Sequence, residues 1–166
     1  MAPIYLIGFM GAGKTTVGKA LSQSLGYPAA DLDELIEKDE NQKISAMFSL
    51  FGEEYFRNKE TEKLIETREF NGILATGGGI ILKEENRKWL KENGLTVFLK
   101  CPPEVAIDRI MGDPDRPNAV NRSFTELKEL YLAREPFYEN CAHIIIDTSL
   151  DSVEDTVGKI MDRLNK

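Results

Sequence analysis

The first run of residues with chemistry in it is Gly8-Phe9-Met10-Gly11-Ala12-Gly13-Lys14-Thr15. It fits the spacing G-x-x-x-x-G-K-[ST] at every fixed position. Glycines let a backbone bend until several N–H groups point inward at phosphate oxygens. The helix expected to follow adds the positive end of its dipole. Lys14 brings a compact charge for the β- and γ-phosphates, and the Thr15 hydroxyl is suited to ligate Mg²⁺. The run predicts a bound nucleoside triphosphate, held by Gly11, Ala12, Gly13, Lys14, Thr15 and Thr16. It does not name the group that receives the phosphoryl.

Chains of this kind usually place an acid for the metal at the end of an apolar strand. Here the apolar run Ile73-Leu74-Ala75-Thr76 leads into Gly77-Gly78-Gly79 instead. The acids stand earlier, in Asp31-Leu32-Asp33. Residues i and i+2 of a strand share a face, so both carboxylates are expected in one cleft at the carboxyl end of a parallel sheet. Asp31 also has a plainer reading as a helix cap, with Glu34 three positions on. Three glycines at a strand end are either a turn or a place where a ligand approaches the backbone closely.

These residues need elements to hold them. Ile4–Ile7 is a short apolar run ended by Gly8, the pattern of a buried strand. Over Lys14–Leu25 the residues Val17, Ala20, Leu21 and Leu25 fall at helical spacing, and Gly26 closes the helix. Pro28-Ala29-Ala30 makes a short strand into Asp31. Further strands are expected at Ile73–Ala75, 95–99 and 144–146. Helices are expected at 34–39, 45–51, 53–70, Glu84–Glu92, 124–134 and Val153–Leu164, with another opened by Pro102-Pro103 and reaching Met111. Residues 112–122 hold one Gly, two Pro, two Asn and no periodicity, which predicts a long irregular loop acting as a mobile lid. Strands alternating with helices predict a single α/β domain over 1–166, a three-layer α/β/α arrangement around a mostly parallel sheet.

Composition narrows the function. The chain has 166 residues, with 21 Lys and Arg against 28 Asp and Glu, a net charge of −7. That sign argues against nucleic-acid and membrane-surface partners. No apolar stretch approaches the roughly 20 residues that span a bilayer. The first residues lack the basic start of a signal peptide. Two cysteines outside any C-x-x-C pair exclude a thiolate zinc site and fit a reducing cytoplasm. The single histidine, His143, lies in an apolar run and is expected to be a packed strand residue rather than a base.

Taken with further residues, these motifs resemble the shikimate kinase family. The shared pattern comprises the phosphate loop with Thr16-Val17-Gly18-Lys19, the run from Asp31 to Glu37, Gly52-Glu53-x-x-Phe56-Arg57-x-x-Glu60, Gly77-Gly78-Gly79, Arg116-Pro117 and Arg134-x-x-x-Tyr138. Their order and spacing cover nearly the whole chain. The resemblance implies a five-stranded parallel sheet of the P-loop, nucleoside-monophosphate-kinase type. It implies transfer of the ATP γ-phosphoryl group to the 3-hydroxyl of shikimate, by a cytoplasmic monomer using one Mg²⁺ ion with ATP. Thr15 and Asp31 would serve the metal, and Asp33 would meet the acceptor hydroxyl. Arg57, Gly78, Gly79 and Arg134 would hold shikimate, with a substrate-binding segment at about 32–60. Arg116 on the lid would reach the phosphates, and Arg109 would lie near adenine. Lys14, Asp33 and Arg116 would carry the chemical step. Two places depart from the family's habit: Asn118-Ala119 replace apolar residues, and Gln42-Lys43 stand where a glycine is common.

By residue type alone, Arg57 and Arg134 suit a carboxylate, which a guanidinium grips bidentately. Each has a plainer reading as well. Arg57 pairs at helical spacing with Glu53 or Glu60 as a solvated cation, and Arg134 complements the dipole at a helix end. Glu53 and Glu54 read as a solvated face. Other readings of the whole are a kinase for another small polar acceptor such as gluconate, a nucleoside monophosphate kinase, or a nucleotide-binding domain without catalysis.

Overall fold

The structure, a computed structural model, describes residues 2–110, 122–149 and 151–165. All four residues of the first strand, β1 (Ile4–Ile7), are buried. Successive strand residues face opposite ways, so both faces of β1 are covered. β1 pairs in parallel with β3 (Ile73–Ala75) on one side and β4 (Leu95–Lys100) on the other. The edges are β2 (Ala29–Asp31), beside β3, and β5 (Ile144–Asp147), beside β4. The five-stranded order β2-β3-β1-β4-β5 is parallel throughout.

Two groups of helices flank this sheet. α1 (Lys14–Leu25) lies against β3 and against α8 (Val153–Leu164). α5 (Glu84–Glu92) and α7 (Phe124–Cys141) pack on each other and on β4. α2 (Leu32–Glu40) and α3 (Ile44–Phe51) both rest on α4 (Glu53–Glu66). α6 (Pro103–Ile110) leans on α7. The expected three-layer α/β/α architecture is therefore present.

Several boundaries differ from those expected. The helix expected at 53–70 ends at Glu66 and tightens into a 3₁₀ turn at Thr67–Glu69, where the Thr67 hydroxyl bonds the Leu64 carbonyl and the buried Tyr5 hydroxyl. The helix expected at 124–134 runs on to Cys141 through Pro136. Proline removes the bond to the carbonyl four residues back. That carbonyl belongs to Leu132, which is 54% exposed, so water can satisfy it. His143 is exposed rather than packed. Its Nδ1 accepts from the Thr96 N–H at 2.9 Å and its Nε2 donates to the Lys91 carbonyl at 2.9 Å. It ties the start of β5 to β4 and α5, and has no place in the site. The departure at Gln42-Lys43 needs no glycine, because the left-handed residue of that turn is Asn41 at φ 52°.

Candidate active site

The phosphate loop joins β1 to α1. Gly11 takes φ +83° and Gly13, the cap of α1, takes φ +89°. A Cβ at Gly11 would stand 2.5 Å from the Ala106 carbonyl oxygen of α6, so the loop admits no side chain there. Gly13 puts no side chain over the first turn of α1, whose N–H groups stay open to a ligand. The Lys14 ammonium is buried and donates to the carbonyls of Gly8 at 2.5 Å and Phe9 at 3.1 Å. Exposed Arg109 donates to the Gly11 carbonyl at 2.9 Å.

A cleft of about 360 Å³ opens beside this loop, lined among others by Lys14, Thr15, Asp31, Asp33, Gly77 and Gly78. Asp31 caps α2 and also faces Thr15. Its Oδ1 accepts from the Glu34 N–H at 3.2 Å as a cap, and its Oδ2 accepts from the Thr15 hydroxyl at 2.6 Å. Asp31 and Asp33 do share the cleft, but not as alternate residues of one strand. β2 ends at Asp31, and Asp33 enters from the first turn of α2.

Asp33 is mostly buried, and its Oδ1 has no hydrogen-bond partner among the described residues. Burial pushes its carboxyl up to about 7, helped by the charges of Glu60 and Asp31 and opposed by Lys14 and Arg57. Gly77 sits between the two acids, each of which has one oxygen, Asp33 Oδ1 and Glu60 Oε2, with no hydrogen-bond partner among the described residues. A Cβ there would lie 2.9 Å from an Asp33 oxygen and 3.0 Å from a Glu60 oxygen.

Behind the glycine run stand the two arginines, neither of which lines the open cleft. Arg57 is buried on α4. It binds Glu60 at 3.0 Å and Glu53 at 3.2 Å, with Phe56 and Phe48 at 5.3 and 6.0 Å. The expected helical pairing is thus real, but the cation is not solvated. Burial opposes its charge, yet Glu60 and Glu53 outweigh that and hold it above its ordinary range. A Cβ at Gly79 would collide with the Arg57 guanidinium.

Arg134 is 3% exposed and lies in the middle of α7, not at a helix end. Its Nε and Nη1 have no hydrogen-bond partner among the described residues. Burial lowers its pKa, and the like charge of Arg57 adds to that. A Cβ at Gly78 would come within 3.6 Å of Arg134 Nη1.

Four residues now belong to this arrangement that were not named as site residues from the sequence. Glu60 is fully buried under Arg57, with burial raising its carboxyl. Glu53, expected as plain solvated face, holds Arg57 from the outside. Gly77 separates Asp33 from Glu60, and Tyr138 reaches Gly78. Glu60 and Tyr138 stand in the motifs of the resemblance, and their spacing from Arg57 and Arg134 is the available signal. Arg116 and residues 112–121 of the expected lid lie outside the described residues.

A phosphate loop after the central strand, an acid at the end of the edge strand β2, and the order β2-β3-β1-β4-β5 define a P-loop kinase fold of the nucleoside-monophosphate-kinase type. Deoxyadenosine kinase from M. mycoides shares that fold at TM-score 0.66, with 16% identity. The chain belongs to the shikimate kinase family, whose model matches residues 10–165. It is 42% identical to the shikimate kinase of Bacillus cereus (strain G9842) over 165 residues, 99% of each chain. It is 40% identical to that of Enterococcus faecalis, with all of both chains covered. The structure of shikimate kinase from Acinetobacter baumannii in complex with shikimate superposes at TM-score 0.94, with 38% identity over 99% of this chain and 93% of that one.

Proposed function

We propose that this chain transfers the γ-phosphoryl group of ATP to the 3-hydroxyl of shikimate, yielding shikimate 3-phosphate for the synthesis of aromatic amino acids. The observation that carries the reading is Arg134, a buried guanidinium with two open nitrogens, beside Arg57 and within the same site as the phosphate loop. Leaving buried charged donors unpaired is costly. A carboxylate on the acceptor would satisfy them and fix the ring in place. A gluconate carboxylate meets the same need, so the acceptor must be tested directly.

The phosphate loop would hold ATP through the backbone of Gly11, Ala12 and Gly13, with Lys14 swinging from its own loop carbonyls onto the phosphates. Asp33 would orient the acceptor hydroxyl and take its proton as the bond to phosphorus forms. Its raised pKa suits that exchange near neutral pH. Thr15 and Asp31 fit one Mg²⁺ ion, since they present adjacent hard oxygens and Mg²⁺ takes its remaining ligands from phosphate and water. Bound there, the ion would neutralise charge on the β- and γ-phosphates. The roles of Arg116 and of a lid at 112–122 rest on the family resemblance alone. We place the reaction in the cytoplasm, a reading supported by the two free cysteines.

Coupled ADP-release assays with shikimate, gluconate and AMP side by side test the assignment. Turnover with shikimate is expected, and phosphorus NMR should show a single 3-phosphate ester. Preference for gluconate or AMP, or ATP binding without turnover on any acceptor, rejects it.

A further inference from the structure

The peptide between Gly78 and Gly79 has glycine on both sides, so little in the chain itself holds its orientation. One side chain grips it. The Tyr138 hydroxyl donates to the Gly78 carbonyl at 2.5 Å. Tyr138 is fully buried, and its ring stacks on Phe98 of β4 with centroids 5.1 Å apart, so the hydroxyl has a fixed position. The Arg134 guanidinium, one helical turn earlier on α7, lies against the same hydroxyl while its Nε and Nη1 stay open. A single oxygen thus touches both the glycine run and the unpaired cation.

In a trans peptide the carbonyl of one residue and the N–H of the next point in opposite directions. Holding the Gly78 oxygen toward α7 turns the Gly79 N–H away from α7. We propose that Tyr138 is a positioning residue for the acceptor: its hydroxyl locks the 78–79 peptide in one orientation and steadies the Arg134 guanidinium beside it, so that the Gly79 N–H and Arg134 are both fixed before the acceptor arrives. The inference rests on the reading of the site as a shikimate-phosphorylating one. Without the hydroxyl, the half-buried Gly78 carbonyl loses this partner, and rotation of the peptide relieves it. The cost then falls on acceptor binding, because a rotated peptide offers an oxygen where the acceptor needs a donor.

Tyr138→Phe removes that one oxygen and keeps the ring. It should raise the KM for shikimate about tenfold or more, the effect of losing a charge-assisted or buried hydrogen bond. Turnover at saturation and the KM for ATP should stay within about threefold, since the Tyr138 hydroxyl bonds the glycine run and its ring stacks on Phe98 rather than on the phosphate loop. Phe98→Leu is the companion variant: it loosens the ring stack but leaves the hydroxyl. An equal rise in shikimate KM in both variants makes the effect one of packing and overturns the proposal. So does an unchanged shikimate KM in folded Tyr138→Phe. If Tyr138→Phe does not fold, the wild-type amide of Gly79 decides. One sharp ¹⁵N–¹H signal that shifts on adding shikimate supports the lock, and an exchange-broadened signal overturns it. Wild-type protein with no shikimate-dependent turnover rejects the proposed function, and this inference falls with it. Active wild-type protein with an indifferent Tyr138→Phe rejects this inference alone.

Discussion

Arg134 keeps a full charge in a place where only 3% of its surface meets solvent and two of its nitrogens bond nothing among the described residues. Such a group lowers the stability of the empty protein and is retained for what it binds. Arg134→Met should therefore unfold at a higher temperature than wild type without ligand, while shikimate affinity falls by about 2–5 kcal/mol. Thermal scans with and without shikimate read both effects, and a lower melting point in the empty variant refutes the first. Asp33 behaves similarly with pH. Between its ordinary value of 3.8 and about 7 the folded chain keeps a proton on Asp33 that the unfolded chain has lost. Stability contributed by this group therefore falls as pH rises through that window. Asp33→Asn escapes the loss. Its melting point without ATP or metal should exceed that of wild type by a few degrees at pH 8, and the gap should close toward pH 4. Its turnover should drop at least about a hundredfold, the scale of a lost general base. Near-normal turnover in the folded variant would remove Asp33 from the chemical step.

Elements decide whether such residues meet. Gly11 holds the phosphate loop against α6, with a left-handed backbone and the Ala106 carbonyl where a side chain would go. Gly11→Ala should weaken ATP binding at least about tenfold and destabilise the fold by about 1–3 kcal/mol, because strain and a backbone clash act together. Calorimetric titration with ATP and denaturant unfolding check the two parts, and an unaltered ATP affinity rules out a tight fit between loop and α6. Much of this site is legible in the amino-acid sequence. The loop residues are contiguous, so spacing alone places Lys14 and Thr15. The environment of Arg134 is not legible, since Pro136 ends the helix pattern two residues later, although α7 continues to Cys141. The exposure of Leu132, invisible in a sequence, is what lets water replace the bond that the proline removes. Strand alternation puts Asp33 in the right cleft, yet it arrives there by helix geometry. Burial of Glu60 comes from the stacking of α4 on the glycine turn, a tertiary fact with no local signature.

On the scale of the molecule, the proposed nucleotide and acceptor sites meet at the carboxyl ends of β1, β2 and β3, with side chains supplied by α1, α2, α4 and α7. Ligands should thus stabilise the chain as a whole. At about a hundredfold over its dissociation constant, shikimate should add about 2.7 kcal/mol to unfolding. The same addition should leave Arg134→Met unmoved; a matching rise there would mean that the acceptor binds elsewhere. The strand order carries one more consequence, for the order in which the chain is made. β1 leaves the ribosome first but is the middle strand, and its two neighbours are β3 at Ile73–Ala75 and β4 at Leu95–Lys100. Pairings of such long sequence separation form late. The phosphate loop, synthesised ahead of both partner strands, therefore has no frame until residue 100 has cleared the exit tunnel. Nascent chains arrested before that point should show a protease-sensitive loop at Gly8–Thr15, and chains arrested well beyond it a protected one.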